Sequence, residues 1–227
     1  MNTPSQDELR QRLAALDTPS IADAMDSLDL YGALLGIHSR APAKRTVAGP
    51  AFTVAYRPFS RKSGEFHNAG NYIDRVGRGD MIVVDNEGRY DCTVWGDILT
   101  ETALFKGIAG TVIYGAARDL EEVKRLSYPL FSTAIHMVSG KNRVKVTAIQ
   151  APIQIGTVTV NPGDWIVADC NGALVVPADR IADVVLRAEL IDHTEQRIRS
   201  AVHNGMALEE ARAHYRYDRP WEEAVSS

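Results

Sequence analysis

The sequence predicts an α/β protein with strand–helix alternation in its middle, a β-rich second half and a helical C-terminal arm. Three observations predict it. Strand-like apolar runs alternate with helix-like segments between residues 51 and 126. Short β-type runs then follow at close spacing from 130 to 176, separated by turn residues. From Asp179 to about Val202 the pattern becomes helical.

Taken in order, residues 6–16 show polar and apolar positions at helical spacing, and Thr18-Pro19-Ser20 opens a second helix through Leu28. Proline suits a helix start, and Ser20 is the expected cap. Residues 51–56 read as a strand after the turn residues Gly49-Pro50, and 69–76 as a helix. Gly79-Asp80 is a turn before the buried strand 81–85. The helix 97–106 stops at Gly107, and 111–114 is a short buried strand. The short helix 119–126 begins with Glu121 and Glu122 and ends with Lys124 and Arg125, an order that suits the helix dipole. Beyond Pro129 the strand-like runs are 130–135, 144–146, 153–155, 158–160, 165–168 and 174–176. Asn161-Pro162-Gly163-Asp164 and Asn171-Gly172 mark turns between them. No repeat, linker or low-complexity segment interrupts the chain. The expectation is one domain over 1–227, with 179–227 as its arm. The tail after Leu208, with Tyr215, Tyr217 and Trp221, is expected to dock on the body or on a neighbouring subunit.

The chain has 227 residues, room for one sizeable core or two small ones. At 45% hydrophobic and 24% charged residues it has the composition of a soluble globular protein. A net charge of −4 with mixed signs along the chain excludes a concentrated basic face for nucleic acid. Cys92 and Cys170, the only cysteines, have no zinc-type or disulfide-framework spacing. Cytoplasmic localisation is therefore expected. The polar N-terminus has no apolar h-region, so no signal peptide is expected. No apolar run approaches the ~20 residues of a membrane helix.

The chemistry concentrates at Gly115-Ala116-Ala117-Arg118-Asp119, just beyond the apolar run 111–114. Strand ends that open into loops are where α/β proteins carry catalytic groups. Asp97 and Arg118 are separated by twenty residues. A helix over 97–106 carries the chain ~14 Å outward, and a strand over 110–115 returns it by ~17 Å. Asp97 and the Arg118-Asp119 pair should therefore face each other. The helix start at Gly96, Asp97, Ile98 and Leu99 adds unpaired amides, a cradle for a carboxylate. Gly96 permits close approach. Arg118 supplies a guanidinium. Asp119, with or without Asp97, supplies oxygen for a hard cation such as Mg²⁺. The plain alternatives are a chance Arg-Asp dipeptide and an Asp97 that only caps its helix.

The segments from Asp91 to Leu99 and from Gly107 to Asp119 resemble the core of the RraA-like family, which includes the 4-hydroxy-4-methyl-2-oxoglutarate / 4-carboxy-4-hydroxy-2-oxoadipate aldolases. Those aldolases carry an Asp, twenty residues, then Arg-Asp. The resemblance runs from Thr18 to Pro177, through Val47-Ala48-Gly49-Pro50-Ala51, Arg78-Gly79-Asp80, Asn161-Pro162-Gly163-Asp164 and Asp169-Cys170-Asn171-Gly172. It implies a layered α/β fold with a central mixed sheet or barrel-like β core. It also implies a class II, divalent-metal-dependent pyruvate aldolase that decarboxylates oxaloacetate through the same enolate. On that basis Asp119 would bind Mg²⁺ or Mn²⁺, and Arg118 would hold the substrate oxygen and stabilise the pyruvate enolate. The 96–99 turn would take the pyruvyl carboxylate, and Asp97 would orient metal-bound water. A homotrimer or homohexamer is implied, with a neighbouring subunit's acid near the metal waters. The resemblance also admits a non-enzymatic regulator of ribonuclease E and a lyase or decarboxylase for a different oxo-acid.

Glu195 is the candidate for that acid. It falls in the stripe Ile181, Val184, Ala188, Ile191, Ile198, Val202, where an apolar residue is expected. An acid at the end of the buried portion reaching solvent is the equal alternative. Lys141, Asn142 and Arg143, and likewise Arg61 and Lys62, are either ligands for a distal substrate carboxylate or solvated loop residues. The six histidines, His67 and His136 among them, show no metal-ligand spacing. No G-x-G-x-x-G follows a strand, so no nucleotide-type cofactor is expected.

Overall fold

The computed structural model describes residues 4–41, 45–60 and 70–222. Arg61, Lys62 and His67 lie outside them. Helices α1 (Gln6–Leu13) and α2 (Thr18–Asp26) lead to the two-residue strand β1 (His38–Ser39) and the long strand β2 (Val47–Pro58). A 3₁₀ helix (Asn71–Arg75) precedes β3 (Met81–Thr93), α3 (Asp97–Lys106), β4 (Gly110–Ala117), α4 (Leu120–Arg125) and β5 (Leu130–Ile135). The second half contributes β6 (Val144–Ile149), β7 (Ile153–Ile155), β8 (Val158–Val160), β9 (Trp165–Asp169) and β10 (Gly172–Val176). Helices α5 (Ile181–His203) and α6 (Leu208–His214) complete the order.

Strands β2, β3, β4 and β5 are parallel and adjacent, while β1, β6, β9 and β10 pair antiparallel. The mixed sheet has the order β1-β5-β4-β3-β2-β9-β10, with β6 on the far half of β2. It curls until its edges approach. Leu34 N–H bonds Ala173 O (3.0 Å) and Val175 N–H bonds Gly32 O (2.8 Å), just before the chain enters β1. The β core is thus barrel-like. Alternation along β3 shows the consequence: Met81 and Val83 face the interior with Val112, Phe131, Ile166 and Val175, and the β7–β8 hairpin fills the same space. Ile82 and Val84 face outward beneath α3, α4 and the 3₁₀ helix. A third cluster joins α1, α2 and α5 to β9 and β10.

Several boundaries differ from the sequence reading. Gly49-Pro50 is strand, not turn. Gly49 lies so close to Gly79 that a Cβ would sit 2.2 Å from its carbonyl oxygen. Pro50 ends the β9 ladder, and the β3 ladder begins at Ala51, so its missing N–H interrupts neither. Asp17, not Ser20, caps α2, accepting the Ser20 N–H (2.9 Å) and Oγ–H (2.6 Å). The expected helix 69–76 is the 3₁₀ turn Asn71–Arg75, with Ala69 outside the described residues. On α5 it is Thr194 that continues the buried stripe, while Glu195 sits beside it, half-buried and bonded to Arg199 Nη1 at 2.9 Å. The aromatic tail docks on the body of its own chain. Trp221 packs against the α1–α2–α5 cluster, with the Arg187 guanidinium 4.3 Å over its ring.

Candidate active site

The C-terminal ends of β3 and β4 open toward each other, as parallel α/β sheets require of their ligand sites. β3 leads through Trp95 and Gly96 into α3, and β4 ends one residue before Arg118. The two ends are tied by main-chain bonds: Val94 N–H to Ala116 O (3.3 Å) and Arg118 N–H to Trp95 O (3.1 Å). The outward helix and returning strand therefore bring Asp97, Arg118 and Asp119 together, as the path-length argument expects.

The contacts are close. Asp119 Oδ2 accepts the Asp97 N–H at 3.1 Å and lies 3.3 Å from Arg118 Nε. A Cβ on Gly96 would stand 2.5 Å from Asp119 Oδ2 and 3.2 Å from Arg118 Nε, so any side chain there would displace the Asp119 carboxylate. Asp119 has φ 57° and ψ 40°, the left-handed region, at the N-cap position of α4. Its carboxylate makes no capping bond to α4 and reaches across to α3 instead. Strain of this kind in an aspartate needs support from its surroundings, and here it aims the carboxylate at the neighbouring helix.

The amide cradle differs from expectation in one respect. The chain's own carboxylates already occupy two of its amides: Asp119 holds the Asp97 N–H, and Asp97 Oδ1 accepts the Ile98 N–H at 2.8 Å. The Leu99 N–H has no protein acceptor among the described residues. Rotation of the exposed Asp97 side chain would free the Ile98 N–H beside that of Leu99, while Asp119 keeps the Asp97 N–H.

A cleft of about 390 Å³ opens at the start of α3 and Arg118, and Asp119, though in contact with both, is not among its lining residues. Gly96, Asp97, Ile98, Leu99 and Arg118 all line it. So do Asn71 and Asp74 from the 3₁₀ helix, and Lys141. Lys141 thus joins the site. Arg143 does not line the cleft and bonds Ser139 O at 3.0 Å. Glu195 does not line it either; within its own chain it belongs to α5, which packs on α1, α2 and α6. Asn71 and Asp74 carry no motif, and only the fold brings the 3₁₀ turn beside α3. Gly70 before it would place a Cβ 2.6 Å from Leu99 Cδ2.

The donor set decides which cation fits. Among the described residues no three His, Cys, Asp or Glu side chains converge. Asp119 offers its second oxygen on a side chain about one-third exposed (34%), with Asp97 nearby. One or two hard oxygen donors open to water suit Mg²⁺ or Mn²⁺ held largely by water and substrate, and they do not suit a zinc site of nitrogen or sulfur ligands. Among the described residues both cysteines are free thiols, Cys92 buried and Cys170 exposed. Burial pushes the Cys92 thiol up from its usual range.

The family model described as RraA-like, Aldolase/RraA, matches residues 18–175. Protein DlpA of Legionella pneumophila is 47% identical over 94% of this chain, but the chain spans only about a third (34%) of DlpA's length. A protein of Halalkalibacterium halodurans named "Putative 4-hydroxy-4-methyl-2-oxoglutarate aldolase" is 32% identical over 85% of this chain and 88% of its own. A crystal structure described as an uncharacterized protein from Pseudomonas syringae pv. tomato superposes with a TM-score of 0.84. It is 46% identical, over 93% of this chain and 100% of that one. No helix among the described residues is long and apolar enough to cross a membrane.

Proposed function

The chain belongs to the RraA-like family, and from that premise we propose that it is a divalent-metal-dependent lyase that cleaves 4-hydroxy-2-oxo acids such as 4-hydroxy-4-methyl-2-oxoglutarate and releases pyruvate. Oxaloacetate decarboxylation runs through the same enolate. The observation that carries this reading is the meeting of the α3 amides and Arg118 in one cleft, with the Asp119 carboxylate in contact with both the Asp97 N–H and Arg118.

Each group has a task that its position supports. The amides at the start of α3 receive the C1 carboxylate, aided by the helix dipole. Asp119 holds Mg²⁺ or Mn²⁺, and the bound ion supplies Lewis-acid polarisation of the 2-oxo group. Arg118 donates to the 2-oxo oxygen and stabilises its negative charge as the C3–C4 bond breaks. In that step the 4-hydroxyl loses its proton and becomes a carbonyl, and the bonding pair moves into the enolate. The enolate then takes a proton at C3. Asp97, exposed at the rim, orients the water that carries these protons. Lys141 faces the distal carboxylate of the substrate. The catalytic unit is the whole chain, with 179–227 as its arm, assembled as a trimer or hexamer with Glu195 approaching a neighbour's site.

Pyruvate release from 4-hydroxy-4-methyl-2-oxoglutarate and oxaloacetate, measured with Mg²⁺ and with EDTA, tests the proposal. Release with Mg²⁺ that EDTA and Arg118→Ala both abolish is the expected result. Full activity in Arg118→Ala overturns the mechanism. No lyase activity across an oxo-acid panel, together with direct capture of ribonuclease E, favours the regulator reading instead.

A further inference from the structure

Beneath the cleft lies a buried polar chain that the proposed reaction does not use directly. Trp95 Nε1–H donates to Thr100 Oγ1 at 2.9 Å, and Thr100 Oγ1–H donates to Gly96 O at 2.9 Å. The polarity is forced, because an indole only donates and a carbonyl only accepts. Gly96 O takes a second bond from the Thr100 N–H at 3.1 Å. The Trp95 ring stacks on Tyr128 with centroids 5.8 Å apart and planes 6° from parallel. The Tyr128 hydroxyl in turn bonds Thr111 Oγ1 of β4 at 2.8 Å. Trp95, Thr100, Tyr128 and Thr111 are all buried.

This chain has a location that matters. The Trp95–Gly96 peptide precedes the amides of the carboxylate cradle. Trp95 O also holds the Arg118 N–H. One residue therefore spans the two halves of the site: its carbonyl fixes the Arg118 end of β4, and its indole, through Thr100, fixes the carbonyl at the head of α3.

We infer that Thr100 is a positioning residue, whose hydroxyl sets the α3 amides against Arg118 by bridging Trp95 and Gly96. Its kinetic consequence rests on the lyase reading; its structural consequence does not. Displacing the cradle by a fraction of an ångström moves the substrate carboxylate relative to the guanidinium, and misplacements near 1 Å cost on the order of 100-fold in rate.

The test compares Thr100→Val, which keeps the shape and removes the hydroxyl, with Thr100→Ser, which keeps the hydroxyl. Hydrogen exchange at the Trp95 indole N–H and kcat and KM for oxaloacetate with Mg²⁺ are measured in the full chain, with urea midpoints as a control on folding. Thr100→Val is expected to exchange the indole proton at least about 10-fold faster and to lose about 10- to 100-fold in kcat/KM. Thr100→Ser is expected to restore both to within about 3-fold, since it rebuilds the same two bonds. Wild-type exchange in Thr100→Val, or a Thr100→Ser as impaired as Thr100→Val, overturns the inference. If the wild type releases no pyruvate, the lyase reading falls, and the exchange comparison still decides the role of Thr100.

Discussion

Asp119 sits where glycine is at home, at φ 57°, and its replacement separates strain from chemistry. Asp119→Ala keeps the left-handed backbone and loses the bond to the Asp97 N–H, so urea melts should show a loss of about 1–2 kcal/mol. Asp119→Gly loses the same bond but relieves the strain, and should lie about 1 kcal/mol above the alanine variant. Both should release pyruvate about 100-fold more slowly or worse, because the charge that holds the cation is gone. A glycine variant that retains a tenth of the wild-type rate would remove Asp119 from the proposed metal site. Gly96→Ala makes the complementary test. Its Cβ meets Asp119 Oδ2 at 2.5 Å, so the carboxylate must swing away. The rate should fall about 10- to 100-fold with the far-UV circular dichroism unchanged, and a variant as fast as wild type would show that the tight approach has no catalytic purpose.

At the scale of elements, Asp169 joins α2 to the β9–β10 hairpin. It is buried, and its two oxygens accept the Thr18 N–H (2.8 Å), the Thr18 Oγ–H (2.7 Å) and the Asn171 N–H (2.8 Å). Asp169→Ala strands three donors and should cost about 2–4 kcal/mol in a denaturant melt. The folded fraction should keep its KM, since none of these groups lines the cleft; a raised KM would show that the hairpin communicates with the site. The elements also show what the sequence makes legible. The helix 97–106 and the strand after it were readable because Gly107 stops the helix with φ 69° and the run Val112-Ile113-Tyr114 marks the middle of β4. Their lengths alone brought Asp97 to Arg118. The far half of β3 was not readable beyond Asp85: only Arg89 and Thr93 pair with β4 there, each after a register shift that no periodicity marks. β1 spans two residues and exists only because β5 is beside it. Within the site, the carboxylates that fill the α3 amides and the Trp95–Thr100 chain escaped for the same reason. Hydrogen bonds among near neighbours are set by side-chain directions that spacing does not encode.

At the scale of the whole molecule, the fold and the proposed cation are separable. The core stands on apolar clusters inside and on both sides of the curled sheet, with only one or two exposed carboxylates assigned to the metal. EDTA should therefore abolish pyruvate release without a change in circular dichroism, and added Mg²⁺ should restore it; unfolding on chelation would mean that the ion is structural. Assembly allows a sharper test, centred on Glu195. In its own chain Glu195 is bonded to Arg199 and lies off the cleft, so any catalytic effect must cross to another subunit. Glu195→Gln and Arg118→Ala should each be inactive alone if Glu195 serves a neighbour's site. Unfolded together and refolded, the two variants form mixed oligomers. A site regains both residues when the subunit that supplies Arg118 is the glutamine variant and the one that supplies Glu195 is the alanine variant. Random pairing makes that about one site in four in a closed ring. Recovery of about a quarter of wild-type activity places Glu195 in the adjacent subunit's site. Full activity in Glu195→Gln alone confines it to the Arg199 ion pair. Such an i,i+4 pair contributes about 0.3–0.5 kcal/mol, so Glu195→Gln should barely move a urea midpoint, and the mixed oligomer is where the two roles part.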